Sequence, residues 1–243
     1  MSMTHIKNMT QNCPLISIVV ATYNCGSAIR ELLNSYTSQT YSNKELIIID
    51  GGSTDDTVSV IKAYDKVVTF MISEPDHGVY DAINKGMSHA KGDFLIVMGS
   101  DDHFISSSVL SDVANNISDM NTVYYGDVYR NARNDLYRGK FNKWLLACEN
   151  ICHQAIFYPR SVYSMNKYDL AFPVFADYVY NIRLWNKVEF RYIPVCVSYY
   201  NCSGMSGGGT SDFEKYTPAF FNEVRKHLGW FCFLLRHLYK LTK

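Results

Sequence analysis

The sequence carries no surplus of charge to draw it to a polyanion: 23 Lys plus Arg balance 23 Asp plus Glu over 243 residues. No global field favours nucleic acid, so any charged partner must be met by a local patch. Its seven cysteines include no CxxC pair. An odd, scattered set argues for reduced thiols in a cytosolic setting rather than a disulfide framework. Cys148, Cys152 and His153 come closest to a ligand cluster, but buried thiols are the simpler reading of that spacing. No apolar run approaches the ~20 residues that span a bilayer. Residues 1–13 are polar, lack the apolar stretch of a signal peptide, and read as a leader. GxGxxG is missing after the first apolar run, and GxxxxGK[ST] is missing throughout. Neither a dinucleotide-binding turn nor a P-loop is therefore indicated.

What is there is a core: 47% of the residues are hydrophobic. Short apolar runs at Leu15–Ala21, Glu45–Asp50, Val67–Ile72 and Asp93–Met98 predict strands buried on both faces. Helices fit between them: one from near Ser27 with Ile29, Leu32, Leu33 and Tyr36 inward, one through Val58, Ile61 and Tyr64, and one over Val79–Ala90. The order βαβαβαβ predicts an α/β fold with a parallel sheet and right-handed crossovers. The polar turns all follow strands: Thr22-Tyr23-Asn24, Asp50-Gly51-Gly52 and Gly99-Ser100-Asp101-Asp102. They should gather at the carboxyl edge, where open α/β sheets bind ligands.

Each turn has two readings. The adjacent carboxylates Asp101 and Asp102 repel unless a cation sits beside them, which suits Mg²⁺ or Mn²⁺ bridged to a substrate's phosphates. They also read as a solvated turn before the next helix. Tyr23 is either a platform for a base or a surface aromatic. Asp50 either accepts a hydrogen bond from a base or ribose, or caps a helix. Asp81 and Lys85, four apart on a helix, form at least an exposed ion pair.

The second half opens with a helix over Ser106–Ile117 and a strand over Thr122–Tyr129. A basic loop over Arg130–Lys140, a short helix over Trp144–Cys148 and a strand over His153–Pro159 follow. Phe175–Trp185 reads as a helix with Asp177 in its first turn, where the helix dipole alone favours a carboxylate. Two strands, Glu189–Ile193 and Cys196–Tyr200, precede a Gly/Ser-rich stretch that reads as a lid or a linker. The tail from Phe221 predicts one amphipathic helix, striped by Phe221, Val224, Leu228, Phe231, Leu235 and Leu238. After Glu223 it has no acids but has Arg225, Lys226, Arg236, Lys240 and Lys243. Such a helix suits an anionic membrane surface; docking on the core or on a second copy in a homodimer is the alternative.

The succession ISIVVATYN, LIIIDGGSTDDT and GVYDAINKGMSHAKGDFLIVMGSDD, over about residues 14–104, resembles glycosyltransferase family 2, the inverting transferases with the GT-A fold. EPDHGVYDAINKG is similar to the bacterial members that build O-antigen and other surface polysaccharides. The resemblance implies a GT-A, Rossmann-like, mostly parallel sheet flanked by helices. Residues 14–104 would form the nucleotide-sugar half, 105–200 the acceptor half of the same domain, and 201–243 the Gly/Ser loop and basic helix. It places Tyr23 on uracil, with Thr22 and Asn24 beside it, and Asp50 against the uracil ring. It points Asp101, with Ser100, at the ribose or donor sugar, and sets Asp102 on Mn²⁺ or Mg²⁺. Many relatives carry a third acid where this chain has Ser100. Asn84 and Lys85 would face the donor's phosphates or hexose, and His153 and Gln154 the acceptor. Asp177 would be the general base, with Asp169 and Asp127 as rivals. The implied reaction moves a hexose from a UDP-sugar to a polyprenyl-diphosphate-linked oligosaccharide at the inner face of the cytoplasmic membrane. A sugar-nucleotide nucleotidyltransferase is weaker, since no lysine lies near Thr22–Gly26. A non-catalytic scaffold is the third reading.

Overall fold

The computed structural model describes residues 13–137, 139–201 and 211–241. The leader, apart from Cys13, and nearly all of the Gly/Ser stretch lie outside the described residues. The chain begins β1 (Ile16–Thr22), α1 (Ile29–Thr37), β2 (Lys44–Asp50), α2 (Thr57–Lys62), β3 (Phe70–Ser73), α3 (Val79–His89) and β4 (Phe94–Gly99). β5 (His103–Phe104), α4 (Val109–Asn116), β6 (Val123–Arg130), β7 (Asp135–Tyr137) and α5 (Lys143–Cys148) come next. β8 (Ile156–Pro159), α6 (Arg160–Tyr163), α7 (Ala176–Leu184), β9 (Phe190–Tyr200), α8 (Ser211–Leu228) and α9 (Trp230–Leu241) complete it.

Among the described residues the strands form one nine-stranded sheet, ordered β3-β2-β1-β4-β8-β6-β9-β5, with β7 on β6. Its first four strands are mutually parallel, as expected. β8 enters antiparallel between β4 and β6. Alternate residues feed two cores. Ile16, Ile18, Val20, Leu46 and Ile48 pack against α1, α2 and α4. Val19, Ile47, Ile49, Leu95 and Val97 pack against α3, α5, α7 and α8. Burial on both faces is why these strands read as unbroken apolar runs. α3 lies so close to β1 that a Cβ at Gly86 would stand 2.4 Å from Val19 Cγ1.

The parallel register aligns the strand ends. Thr22 stands opposite Asp50, Ala21 opposite Gly99, and Asp50 opposite Ser73. The turns after β1, β2, β3 and β4 therefore share one rim.

Several expected boundaries change. β3 begins at Phe70, because the amides of Val67 and Val68 bond back to the Tyr64 carbonyl in a turn. The loop after Arg130 contains β7. His153–Ala155 is a 3-10 turn, and the strand starts at Ile156. The two strands after Glu189 are one, β9, with two register shifts against β6, the first of which spans Pro194, which lacks an N–H. The single C-terminal helix is two, broken at Gly229, whose φ of +94° suits glycine. The break turns the stripe: Phe221, Val224 and Leu228 are buried, whereas Phe231 and Leu238 are exposed.

Candidate active site

The rim is laced before any ligand enters. Asn24 accepts from Thr54 N through Oδ1 (2.8 Å), and its own N–H reaches Ser53 Oγ (2.8 Å). Thr22 Oγ1 lies 2.8 Å from Cys25 Sγ, and the amides of Cys25 and Gly26 donate to Thr57 Oγ1. Asp50 is fully buried and accepts from Ser53 N (2.9 Å), Ser73 Oγ (2.7 Å) and Ser53 Oγ. It braces the turn and is not a helix cap. Tyr23 is 62% exposed on this rim.

β4 ends in a tight turn. Asp102 Oδ2 accepts from Gly99 N (3.2 Å) and Gln154 Nε2 (2.7 Å), and Oδ1 accepts from Asn201 N (3.0 Å). Burial pushes the Asp102 carboxyl above its ordinary pKa, and the neighbouring Asp101 adds to this, while the Asn201 and Gln154 donors hold it back. Ser100, Asp101 and Asp102 line a cavity of about 180 Å³ together with Tyr80, Ile83, His153 and Gln154. Among the described residues no cluster of three His, Cys, Asp or Glu side chains could hold a metal. The acid pair nevertheless fits Mg²⁺ or Mn²⁺. Such ions take one or two carboxylates and complete their shell with water and phosphate oxygens, not with a protein cage. Three donors leave one lone pair on Asp102 Oδ1.

A second cavity, of about 490 Å³, adjoins the first and shares His153, Gln154 and Val174 with it. Asp177 stands in its wall. Asp177 Oδ1 accepts from Tyr80 Oη (2.7 Å), and Oδ2 accepts from Asn150 Nδ2 (2.8 Å) with His153 Nδ1 at 3.4 Å. Burial opposes the charge on Asp177, but the bond and charge from His153, with the Tyr80 hydroxyl, outweigh it and hold the carboxyl below its ordinary pKa. The same contact raises His153: burial pushes the imidazole down, and Asp177 more than restores it. About four lone-pair sites on a carboxylate, less three donors, leave one on Oδ1 to accept a proton.

The structure does not bring every expected residue to the cavities. Asn84 is pinned to the Tyr168 backbone through both amide atoms (2.8 Å each) and lines neither cavity. Lys85 pairs with Glu74 (2.9 Å) and Asp81 (3.7 Å), the ion-pair reading of that helix. Gln154 does line both cavities, but it is 3% exposed and gives one amide N–H to Asp102, which makes it a support for the acid turn. Asp169 is taken up by Arg183 (2.9 Å), and Asp127 by Tyr192 Oη (2.7 Å) and Gly139 N. Neither lines the second cavity. Sequence reasoning assigned no role to Tyr80 or Asn150. Tyr80 lies 97 residues from Asp177, and no local spacing signals such a pair.

Residues 17–188 match the family model described as glycosyl transferase family 2. A PGL/p-HBAD biosynthesis glycosyltransferase of Mycobacterium tuberculosis is 35% identical over 197 residues, 77% of each chain. An uncharacterized glycosyltransferase of the same species is 32% identical over 224 residues, 88% of this chain and 83% of the other. Among solved structures, S. aureus TarS superposes with a TM-score of 0.69 at 18% identity, over 87% of this chain. This chain spans 40% of that TarS chain, so the likeness is one of fold. TarS 1–349 in complex with UDP-GlcNAc gives 0.64 at 19% identity, covering 87% of this chain and 67% of that one. The mannosyltransferase PcManGT from Pyrobaculum calidifontis, in complex with GDP-Man and Mn²⁺, gives 0.60 at 16% identity, covering 88% and 62%.

Proposed function

The chain belongs to glycosyltransferase family 2, and from that membership we propose an inverting transfer of a hexose from a UDP-sugar to a hydroxyl of a lipid-linked oligosaccharide. The observation that carries this reading is the shared wall between the two cavities. Asp101 and Asp102 open on one side of it and Asp177 on the other. A donor's anomeric carbon and an acceptor's hydroxyl meet at such a junction.

We assign the roles as follows. Tyr23, half out in solvent, offers a ring for a base to stack on, beside the brace at Asp50. Ser100 and Asp101 flank the donor's sugar. Asp102 would hold Mn²⁺ or Mg²⁺ with the donor's phosphate oxygens, and the bound cation would offset negative charge on the diphosphate as it leaves. Asp177 takes the proton from the attacking hydroxyl, a step worth about 10²–10⁴-fold in rate. Tyr80, Asn150 and His153 fix its carboxylate and keep it ionised at neutral pH. TarS has been solved with UDP and with UDP-GlcNAc, and PcManGT with GDP-Man and Mn²⁺. Both support a sugar-nucleotide donor, and the second supports a cation. A nucleotidyltransferase would need cations on the loop after β1 to meet a triphosphate; Tyr23–Gly26 has none.

The acceptor reading extends to the membrane and to bacterial surface polysaccharide of the O-antigen kind. Among the described residues no helix is long and apolar enough to cross a membrane. α9 exposes Trp230, Phe231, Leu234, Leu238 and Leu241, and Lys240 together with Arg225 and Lys226 of α8 adds positive charge nearby. That combination suits an interfacial helix on an anionic cytoplasmic leaflet. Incubating the protein with UDP-Glc, UDP-Gal and UDP-GlcNAc and Mn²⁺ should release UDP slowly, and chelation should stop it. No release from any donor, together with no metal-dependent UDP binding, would overturn the reading.

A further inference from the structure

The larger cavity holds chemistry that a neutral sugar does not need. Arg133, just after β6, and Arg236, on α9, both line it, and neither is ion-paired among the described residues. Arg130 lines it too, but its charge is met by Asp135, 2.7 Å from Nε. Arg236 is held in place: Nη1 donates to the Cys148 carbonyl, and the guanidinium lies 5.2 Å from the Phe220 ring centre and 5.9 Å from those of Tyr178 and Tyr239. Its Nε is buried without a hydrogen-bond partner. The two carboxylates in the wall are already supplied with donors. Glu149 accepts from the Tyr239 hydroxyl, and Asp177 from Tyr80 and Asn150. The wall thus carries three guanidinium groups against the two carboxylates of Glu149 and Asp177, with Arg130 drawn to Asp135 outside it. A guanidinium held by aromatic stacking presents a fixed fork that suits phosphate or carboxylate. The volume is within the range of small-molecule sites.

We propose that this cavity is an oxyanion subsite: Arg133 and Arg236 take a phosphate or carboxylate borne by the acceptor, while the acceptor's hydroxyl lies at Asp177. The inference rests on the cavity being the acceptor side. It narrows the substrate class to acceptors whose reactive sugar carries, or directly adjoins, a negative group.

The test compares glucose, glucuronic acid and glucose 6-phosphate binding to the full chain by calorimetry or ligand-observed NMR at 0.15 M salt. Each is measured with and without saturating UDP and Mg²⁺, so that the donor side is filled in one arm. At least one anionic sugar should bind about tenfold more tightly than glucose, the gain expected of a charge-assisted hydrogen bond. The tighter of the two identifies the oxyanion as phosphate or carboxylate. Arg133→Gln and Arg236→Lys should each erase most of that preference; the lysine keeps the charge but loses the fork. Arg133 is exposed, so its variant tests the idea even if the Arg236 variant fails to fold. Equal binding of charged and neutral sugars, or a preference that survives both substitutions, overturns the subsite. UDP binding in the same samples separates the two readings. Its loss refutes the donor assignment, whereas the anion preference is still decided in the UDP-free arm.

Discussion

Replacing Asp177 by Asn swaps one carboxylate oxygen for an NH₂ in a site built of donors. The new amide must choose an orientation. Asn150 Nδ2 and the Tyr80 hydroxyl both now donate to the carboxylate. A hydroxyl can rotate to accept, and an amide nitrogen cannot. The NH₂ therefore settles toward Tyr80, and the remaining oxygen keeps Asn150. The Tyr80 O–H then gives up its only acceptor among the described residues, and the remaining charge-assisted bonds become neutral ones. The difference between those classes puts the stability cost at about 1–3 kcal/mol. For a chain of this size that is a melting shift of roughly 2–4 °C per kcal/mol. Transfer should suffer far more, because the lone pair on Oδ1 no longer belongs to a base. Loss of general-base catalysis costs about 10²–10⁴-fold in kcat, or roughly 3–5 kcal/mol of transition-state stabilisation. Asp177 does not line the smaller cavity, so UDP affinity should hold within about twofold. The assay is initial-rate UDP release with acceptor present, alongside calorimetric UDP titration and a melting curve. A folded Asp177→Asn protein that transfers at close to the parent rate would refute the base assignment. Asp169 and Asp127 could not rescue it, since their carboxylates are committed to Arg183 and to Tyr192.

Asp102→Asn should weaken Mn²⁺-dependent UDP binding and turnover together. It should also lower stability by about 1–3 kcal/mol, because an amide N–H must oppose Gln154, Gly99 or Asn201. Calorimetry with and without chelator reads the first effect and urea melts the second. Gly86→Ala should cost about 1–3 kcal/mol by overpacking against Val19, seen as a fall in the urea midpoint at unchanged slope. The Asp177–His153 contact gives a pH signature. Asp177 is depressed below 3.8, so its contribution is present above that value and lost as pH falls through the folded pKa. His153 is raised above 6.5, so its contribution is full below 6.5 and lost as pH rises through the folded value. The melting gap between the parent and His153→Gln should therefore be widest between about pH 4 and 6.5 and shrink on both sides. Leu234→Glu with Leu238→Glu should reduce co-sedimentation with phosphatidylglycerol vesicles several-fold while leaving the melting curve in place, since both side chains are exposed.

The rim after the first strands was legible because its signals are local. Strands buried on both faces spell themselves as apolar runs, and the turns that follow them fall at one rim by register alone. The surroundings of Asp177 were legible only in part: the resemblance pointed to His153, but nothing pointed to Tyr80 or Asn150. Tyr80, Asn150 and His153 reach Asp177 from a helix, a loop and a 3-10 turn, and only the folded chain brings them together. Asn84 and Lys85 had a plausible ligand-facing spacing, yet the neighbouring Tyr168 backbone and Glu74 claimed them first. The tail misled for a different reason. Its apolar spacing continues across Gly229 without a break, so periodicity alone could not show that the chain turns there and presents the second half of the stripe to solvent.

The end strands of the sheet are stubs: four residues of β3 at one end, two of β5 at the other, and three of β7 on the branch from β6. So few open amides and carbonyls make a poor template for a ladder with another chain. Among the described residues, end strands this short disfavour joining two copies by extending a common sheet, which points self-association toward helices and loops.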